Sequence, residues 1–414
     1  MIKECIILAG GLGTRLREAV PDLPKCMAPV AGRPFLFYVI NYFRSQGINH
    51  FIFSLGYKHE VIEEYLREFF STLDYKTVIE TEPLGTGGAI QLACSVATTP
   101  DVAVANGDTL FRADLKGLYQ LHTSSRSAAT LALRPMKDFD RYGVVEINQE
   151  KTITGFREKQ FYTEGLINGG LYLLNVAAFM DHGFPQKFSF ETAFLEQQAS
   201  TGKLSGLPQD VYFIDIGVPE DYVKAGVDLA LPPLDLKKID KSWTLFLDRD
   251  GVINVDHPGS YIFVPETFEF LPGAPALFKK LTNTFQFIIV ATNQRGVGRK
   301  LMTVADLDVV NAKMRKAITE AGGEIRQVYA ATAMDNNDWF RKPNPGMANQ
   351  AKNDYPEINF SKSIMIGNNI TDMEFGKNAG MYTVFLTTTS KDVTLPHPDI
   401  DMIFPTLDDF AKAL

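Results

Sequence analysis

Two stretches of the 414-residue chain gather residue types that handle phosphate. The first is Leu8-Ala9-Gly10-Gly11-Leu12-Gly13-Thr14-Arg15-Leu16. Three glycines after an apolar run let the backbone bend tightly and turn N–H groups toward an anion, and Arg15 adds a fixed positive charge. Soon after, Leu23-Pro24-Lys25-Cys26-Met27-Ala28-Pro29-Val30 sets a lysine between prolines, which fix the backbone and keep the ammonium near the same loop. The glycines alone are also compatible with a dinucleotide-binding turn or a plain turn. The second stretch is Trp243-Thr244-Leu245-Phe246-Leu247-Asp248-Arg249-Asp250-Gly251-Val252, an apolar strand that ends in two closely spaced carboxylates.

In sequence, G-G-x-G-T-R-L followed by P-K-x-M-x-P-V is similar to the signature of sugar-nucleotide pyrophosphorylases, and the resemblance covers nearly the whole first half. That family usually has proline where Cys26 stands; Cys26 reads as a small buried residue and not as a reactive thiol. Glu82-Pro83-Leu84-Gly85-Thr86-Gly87-Gly88-Ala89 resembles the family's base-binding segment. The resemblance thus implies that Gly10, Gly11, Gly13, Thr14, Glu82, Gly85, Thr86 and Gly87 bind the nucleotide. Asp108 follows the run Val102 to Ala105 at a strand's carboxyl end, where open αβ sheets bind ligands. Asp215 matches the second family aspartate. The pair is suited to one Mg²⁺ bridging phosphate oxygens, the alternative being that Asp215 only caps a turn. Tyr142-Gly143-Val144-Val145, Arg157-Glu158-Lys159 and Asn168-Gly169-Gly170 resemble hexose-contacting segments, which implies that Gly143, Glu158 and Asn168 meet hydroxyls and Lys159 meets the sugar phosphate. The implied reaction is in-line attack of a sugar 1-phosphate on the α-phosphorus of a nucleoside triphosphate. Arg15, Lys25 and the metal would stabilise the departing pyrophosphate.

The motif ending in Asp248 and Asp250 resembles the first motif of haloacid dehalogenase phosphatases, and three more follow in order. These are Thr292, Lys342 in Arg341-Lys342-Pro343, and Gly367-Asn368-Asn369-Ile370-Thr371-Asp372. The resemblance implies that Asp248 attacks phosphorus and Asp250 serves as acid and then base, while Thr292 and Lys342 hold phosphoryl oxygens. Mg²⁺ would lie among Asp248, the Asp250 carbonyl and the fourth motif, with Asn368 and Asp372 as its ligands. Asn368 departs from the family, which has aspartate there; a neutral amide weakens metal binding, and a crippled phosphatase is conceivable. Thr292 to Arg299 and Arg341 to Met347 look like the heptose bisphosphate and histidinol phosphate phosphatase branch, with little cap. Many of its members hold zinc before the Arg-Lys-Pro, but Ala330 to Phe340 contains neither Cys nor His, so no zinc is expected. Arg341 is read either as a ligand for a second substrate phosphate or as the partner of an acid.

The elements that must position these residues are also legible. Apolar runs at Cys5 to Leu8, Val102 to Ala105, Thr244 to Leu247, Phe287 to Ala291 and Ile364 to Ile366 alternate with helical stretches, which implies parallel sheets. The expected fold class is α/β in two domains. Residues 1–230 form a Rossmann-like nucleotidyltransferase with a mixed, mainly parallel sheet, 231–242 a linker marked by Pro232 and Pro233, and 243–414 a Rossmannoid phosphatase with a minimal cap. A net charge of −8 excludes general affinity for nucleic acid or acidic membranes, so phosphate binding must be local. The three cysteines lie without metal or disulfide spacing, in keeping with a reducing cytoplasm. The start reads as a strand, not a signal peptide, and no apolar run suits a membrane helix.

The two halves make sense together. A phosphatase that removes the 7-phosphate of a heptose 1,7-bisphosphate makes the sugar 1-phosphate that a nucleotidyltransferase activates. The first half looks most like D-glycero-D-manno-heptose 1-phosphate guanylyltransferases, implying GTP as the nucleoside triphosphate, with a sugar 1-phosphate and a sugar bisphosphate as the other partners. A hexose (mannose or glucose) 1-phosphate nucleotidyltransferase joined to another small-sugar phosphatase, or a scaffold with one inactive domain, remains as an alternative. Self-association is left open by the residues.

Overall fold

The computed structural model describes residues 2–11, 16, 20–70, 73–257, 260–336, 338–389 and 397–414. It divides into two compact units, Met1–Ala230 and Leu231–Leu414.

The first unit is built on a nine-stranded mixed sheet. Asp101–Asn106, Glu4–Ala9, His50–Leu55 and Asp74–Ile79 lie side by side and parallel. Beyond Asp101–Asn106 the long strand Tyr162–Asn175 runs antiparallel and carries Ala129–Phe139 and Val144–Ile147 with it. Glu4–Ala9 is central because both of its faces are buried: Cys5 and Ile7 enter one apolar core, Ile6 the other. A strand's period of two sends alternate residues to opposite faces, so a run with no polar alternation must be covered twice. The helix Phe35–Ser45 covers one face, burying Phe35, Leu36, Val39, Ile40 and Phe43 at helical spacing.

The second unit holds six strands, all parallel, in the order Gln327–Ala331, Phe287–Asn293, Thr244–Leu247, Ser363–Gly367, Tyr382–Leu386, Met402–Phe404. Again the apolar runs split between two cores. Leu245 and Leu247 face one, Phe246 the other; Ile364 and Ile366 face one, Met365 the other. The chain leaves Thr244–Leu247 to one side and later returns to its other side. This leaves a crevice at the carboxyl ends of the central strands, where ligands of such sheets bind. Between the first two strands of this sheet in the chain, the described residues add the short turn Pro265–Thr267 and the helix Ala274–Thr284, and no strand of a separate cap sheet. Residues 231–242, expected as a linker, pack on this unit: Leu234 is buried in its core, and Tyr382 Oη donates to Pro232 O at 2.9 Å. Among the described residues no helix is long and apolar enough to cross a membrane.

Candidate active sites

In the first unit a cleft of about 810 Å³ opens at the carboxyl ends of the parallel strands. Gly10, Gly11, Lys25, Glu82, Gly85, Thr86 and Asp108 all line it. Gly13, Thr14 and Arg15 lie outside the described residues. Lys25 begins a short 3-10 turn after Pro24 and reaches both aspartates, Asp108 through a short ion pair and Asp215 at 3.5 Å. A small antiparallel ladder brings those aspartates together: Phe213–Asp215 pairs with Thr109–Phe111, setting Asp215 opposite Thr109, and Ile216 N donates to Asp108 O at 3.1 Å. Burial, and then the charge of Asp108, raises the Asp215 carboxyl above its ordinary value, although Lys25 opposes this. The cluster is therefore short of positive charge. Two carboxylates form an oxygen donor set that fits a hard divalent cation. Among the described residues no group of three or more His, Cys, Asp or Glu converges as a metal cage. A cation held by this pair would complete its shell with ligand oxygens and water.

The glycines of the base-binding segment prove to have a structural reason of their own. Gly85–Cys94 is a helix tucked beneath the segment around Phe188. A Cβ on Gly85 would meet Phe188 O at 2.5 Å, on Gly87 the Phe188 ring at 2.2 Å, and on Gly88 Gln186 O at 2.2 Å. Gly85 also has a φ of +73°, which glycine adopts without strain. Gly87 does not line the cleft. The Thr86 hydroxyl is occupied as well: it donates to Glu191 Oε2 at 2.7 Å and accepts from Phe190 N at 2.9 Å. Another acid stands in the cleft that the motifs did not single out. Glu80 is half-buried, its Oε2 accepts from Leu84 N at 3.1 Å, and its Oε1 faces Gly10 so closely that a Cβ there would stand 2.4 Å away. Burial raises its carboxyl above the ordinary value. Glu82, two residues on, is exposed. No local pattern separates the two; only the crossing of the Gly10 loop over Glu80 does.

The four expected sugar ligands, Gly143, Glu158, Lys159 and Asn168, are not among the residues lining this cleft. Gly143 allows close approach of two chain segments, since a Cβ would stand 2.4 Å from Arg157 O. Asn168 spends its amide internally, donating to Tyr172 Oη at 2.8 Å and accepting from Gly170 N at 3.0 Å. Glu158 and Lys159 are exposed. Cys26 is buried, and its thiol is pushed up to about 12 by burial first and then by the charge of Asp108, which makes it an inert packing residue.

In the second unit the carboxyl ends of three adjacent strands bring Asp248, Thr292 and Asn368 to one crevice. Lys342 Nζ lies 2.8 Å from Asp248 Oδ1 and 2.6 Å from Asp372 Oδ1. Its loop is pinned by reciprocal bonds, Lys342 N to Asn293 Oδ1 at 3.0 Å and Asn293 Nδ2 to Lys342 O at 3.1 Å. Burial pulls the lysine down, but Asp248 and Asp372 outweigh it and hold the ammonium above its ordinary value. Burial also lifts Asp248, to about 7, with Lys342 opposing and Asp372 and Asp250 adding to the rise. A carboxylate under that repulsion again fits a divalent cation beside it. Thr292 Oγ1 accepts from Gln294 Nε2 at 2.9 Å, which leaves its own hydrogen to donate into the crevice.

Asn368 directs its Nδ2 to Thr389 Oγ1 at 2.6 Å, so its oxygen is the free amide atom. Asp372 is more committed than its motif suggests. Its Oδ2 accepts from Asn368 N and Asn369 N, closing the capping box of the helix Ile370–Ala379, and its Oδ1 holds Lys342. Both oxygens serve protein groups, so the position orients the lysine and the loop. Asp250 is held by Asn254 Nδ2 at 2.9 Å, Gln294 Nε2 at 2.7 Å and the guanidinium of Arg249. The motifs left Arg249, Asn254 and Gln294 without a role, because a pattern written D-x-D treats the middle residue as arbitrary.

Comparison with known proteins fits this geometry. Residues 4–230 match the family described as nucleotidyl transferase. The chain belongs to that family. Residues 245–402 match the family described as polynucleotide kinase 3 phosphatase, so this nucleotidyl transferase is fused to a phosphatase domain and is a bifunctional enzyme. Over 226 residues it is 48% identical to a D-glycero-α-D-manno-heptose 1-phosphate guanylyltransferase of Aneurinibacillus thermoaerophilus, covering 55% of this chain and 98% of the relative. A Campylobacter jejuni protein of the same name is 46% identical over 219 residues, covering 53% and 96%. The crystal structure of HddC from Yersinia pseudotuberculosis, also solved in complex with GMP-PN, is 37% identical with a TM-score of 0.50, covering 55% of this chain and 99% of that one.

Proposed function

We propose that the chain performs two consecutive reactions on one sugar. The second unit removes the C7 phosphate of D-glycero-D-manno-heptose 1,7-bisphosphate, and the first transfers GMP from GTP to the heptose 1-phosphate, releasing pyrophosphate. The GDP-heptose so made is a cytoplasmic precursor of surface polysaccharide. The observation that carries this reading is a nucleotidyl transferase unit 48% identical to a heptose 1-phosphate guanylyltransferase in one chain with a phosphatase domain. The arginines around Arg341, which precedes Lys342 in the chain, support a bisphosphate. Burial, and then the like charges of Arg295 and Arg299, lowers the Arg341 guanidinium below its ordinary value, a gathering of positive charge suited to a second phosphate.

In the first reaction Lys25 neutralises charge on the leaving pyrophosphate and Lys159 holds the sugar phosphate. In the second, Asp248 attacks phosphorus and the bond to the sugar oxygen breaks as that oxygen takes the Asp250 proton. Water then loses a proton to Asp250 while attacking the aspartyl phosphate, which frees phosphate and restores Asp248. Lys342 and Thr292 bind the phosphoryl oxygens throughout. Asp108 and Asp215 in one unit, and Asp248, the Asp250 carbonyl and Asn368 in the other, would hold Mg²⁺, which would supply charge neutralisation between anions. No zinc is required, as Ala330 to Phe340 offers neither Cys nor His.

The test is to incubate the full chain with heptose 1,7-bisphosphate, GTP and Mg²⁺ and follow phosphate, pyrophosphate and nucleotide sugar together. Asp248→Asn should abolish only phosphate release, and Asp108→Ala only nucleotide sugar made from supplied heptose 1-phosphate. Turnover of mannose or glucose phosphates with none of the heptose phosphates would overturn the sugar assignment.

A further inference from the structure

Arg249 is wholly buried, and it is the residue between the two aspartates of the phosphatase motif. Consecutive side chains on a strand point to opposite faces and do not meet. Here the chain has already turned: Arg249 O accepts from Ile253 N at 2.9 Å, and Gly251 takes a φ of +79°. The turn swings Asp250 back over the guanidinium of its own neighbour. Arg249 Nε donates to Asp250 Oδ1 at 3.2 Å, and Nη2 reaches Oδ1 at 3.1 Å and Oδ2 at 3.2 Å. The remaining arm, Nη1, donates to Asn311 Oδ1 at 3.1 Å, on the helix Val304–Glu320.

A guanidinium taken wholly out of water is costly unless it is paired and hydrogen-bonded, and these contacts supply both conditions. A planar fork also fixes direction, which a lysine's point charge does not. One edge of the fork grips the carboxylate and the other is tied to a packed helix, so the orientation of Asp250 is set from beneath. Asn254 and Gln294 complete the grip from the sides, and the Asp250 side chain stays 26% exposed at the crevice.

We propose that Arg249, anchored through Asn311, is a positioning residue of the phosphatase reaction, aiming the Asp250 carboxyl at the oxygen that leaves. This rests on the reading of Asp250 as proton donor. Arg249 touches no substrate atom; it acts through Asp250.

The leaving group provides a readout that a merely structural role would not move. An alkoxide needs a proton as it departs, whereas p-nitrophenolate leaves without one. The ratio kcat/KM reports only steps up to departure of the alcohol, so it is free of the later hydrolysis of the aspartyl phosphate. For Arg249→Lys and Asn311→Ala in the full chain, kcat/KM on a primary alkyl phosphate, a sugar carrying a terminal phosphate, should fall on the order of 10²-fold, with only a small loss on p-nitrophenyl phosphate. Asp250→Asn sets the largest selectivity attainable. Equal losses on both esters, or no loss on either, would overturn the proposal. If Arg249→Lys does not fold, judged by loss of the thermal unfolding transition of the second unit, Asn311→Ala decides on the same ratio. Failure of the unaltered enzyme to release phosphate from any ester would instead sink the phosphatase reading, and this inference with it.

Discussion

Lys342 Nζ stands 2.8 Å from Asp248 Oδ1, and both side chains are nearly sealed from solvent. Each is the other's main compensation, so removing the lysine has two consequences. Lys342→Ala is expected to lower phosphate release on the order of 10²- to 10³-fold, as loss of a preorganised donor to transition-state oxygens does. It should also destabilise the second unit by roughly 3–5 kcal/mol, because Asp248 and Asp372 are left buried without their cation. Phosphate release and thermal unfolding of the purified variant check both, and nucleotidyl transfer in the same sample should be unchanged.

The bond from Asn368 to Thr389 fixes which amide atom faces the crevice. In Asn368→Asp the Thr389 hydroxyl can donate instead, so the fold is kept and one negative charge is added. The Mg²⁺ concentration giving half-maximal phosphate release should fall on the order of ten-fold, the equivalent of about 1.4 kcal/mol. An unaltered Mg²⁺ requirement would remove Asn368 from the metal's surroundings.

Glu80 lines the cleft as an acceptor, and on the proposed use of GTP it is matched to the two adjacent N–H donors of guanine. Glu80→Gln is therefore expected to reduce kcat/KM for GTP roughly ten- to hundred-fold, matching about 1.5–3 kcal/mol for a hydrogen bond to a charged group. A pyrimidine triphosphate, lacking that pair of donors, should lose less. Competition between GTP and UTP in one reaction measures the change directly, and an unchanged preference would take Glu80 out of base selection.

His122 is buried with Nδ1 2.8 Å from Thr130 Oγ1, and burial lowers its imidazole below the ordinary value of 6.5, Asp101 opposing only in part. A depressed folded-state value means that the fold favours the neutral ring. Its contribution is complete above pH 6.5 and is lost as the pH falls through the folded value. Urea unfolding of the first unit should show the wild type losing stability relative to His122→Gln between pH 7 and 5. A constant difference across that range would contradict this.

The sequence by itself determined the two sheets, their order of chemistry and the strand ends at which it occurs. Runs such as Cys5 to Leu8 and Thr244 to Leu247 have no polar alternation, so they can be satisfied only at the centre of a doubly covered sheet. Motifs that follow such runs must emerge at the carboxyl edge. Which side chain meets which was decided only by the tertiary structure. Glu80 and Glu82 follow the same strand, and only the loop at Gly10 distinguishes them. The glycines at 85, 87 and 88 are required by Phe188 and Gln186, about a hundred residues away, and Asp372 is claimed by a capping box and by Lys342. Arg249 counts as filler in a linear motif and becomes the support beneath Asp250 once the turn at Gly251 has folded it there. Periodicity is local and survives in one dimension, whereas a partner is chosen by the packing of segments that the chain brings from afar.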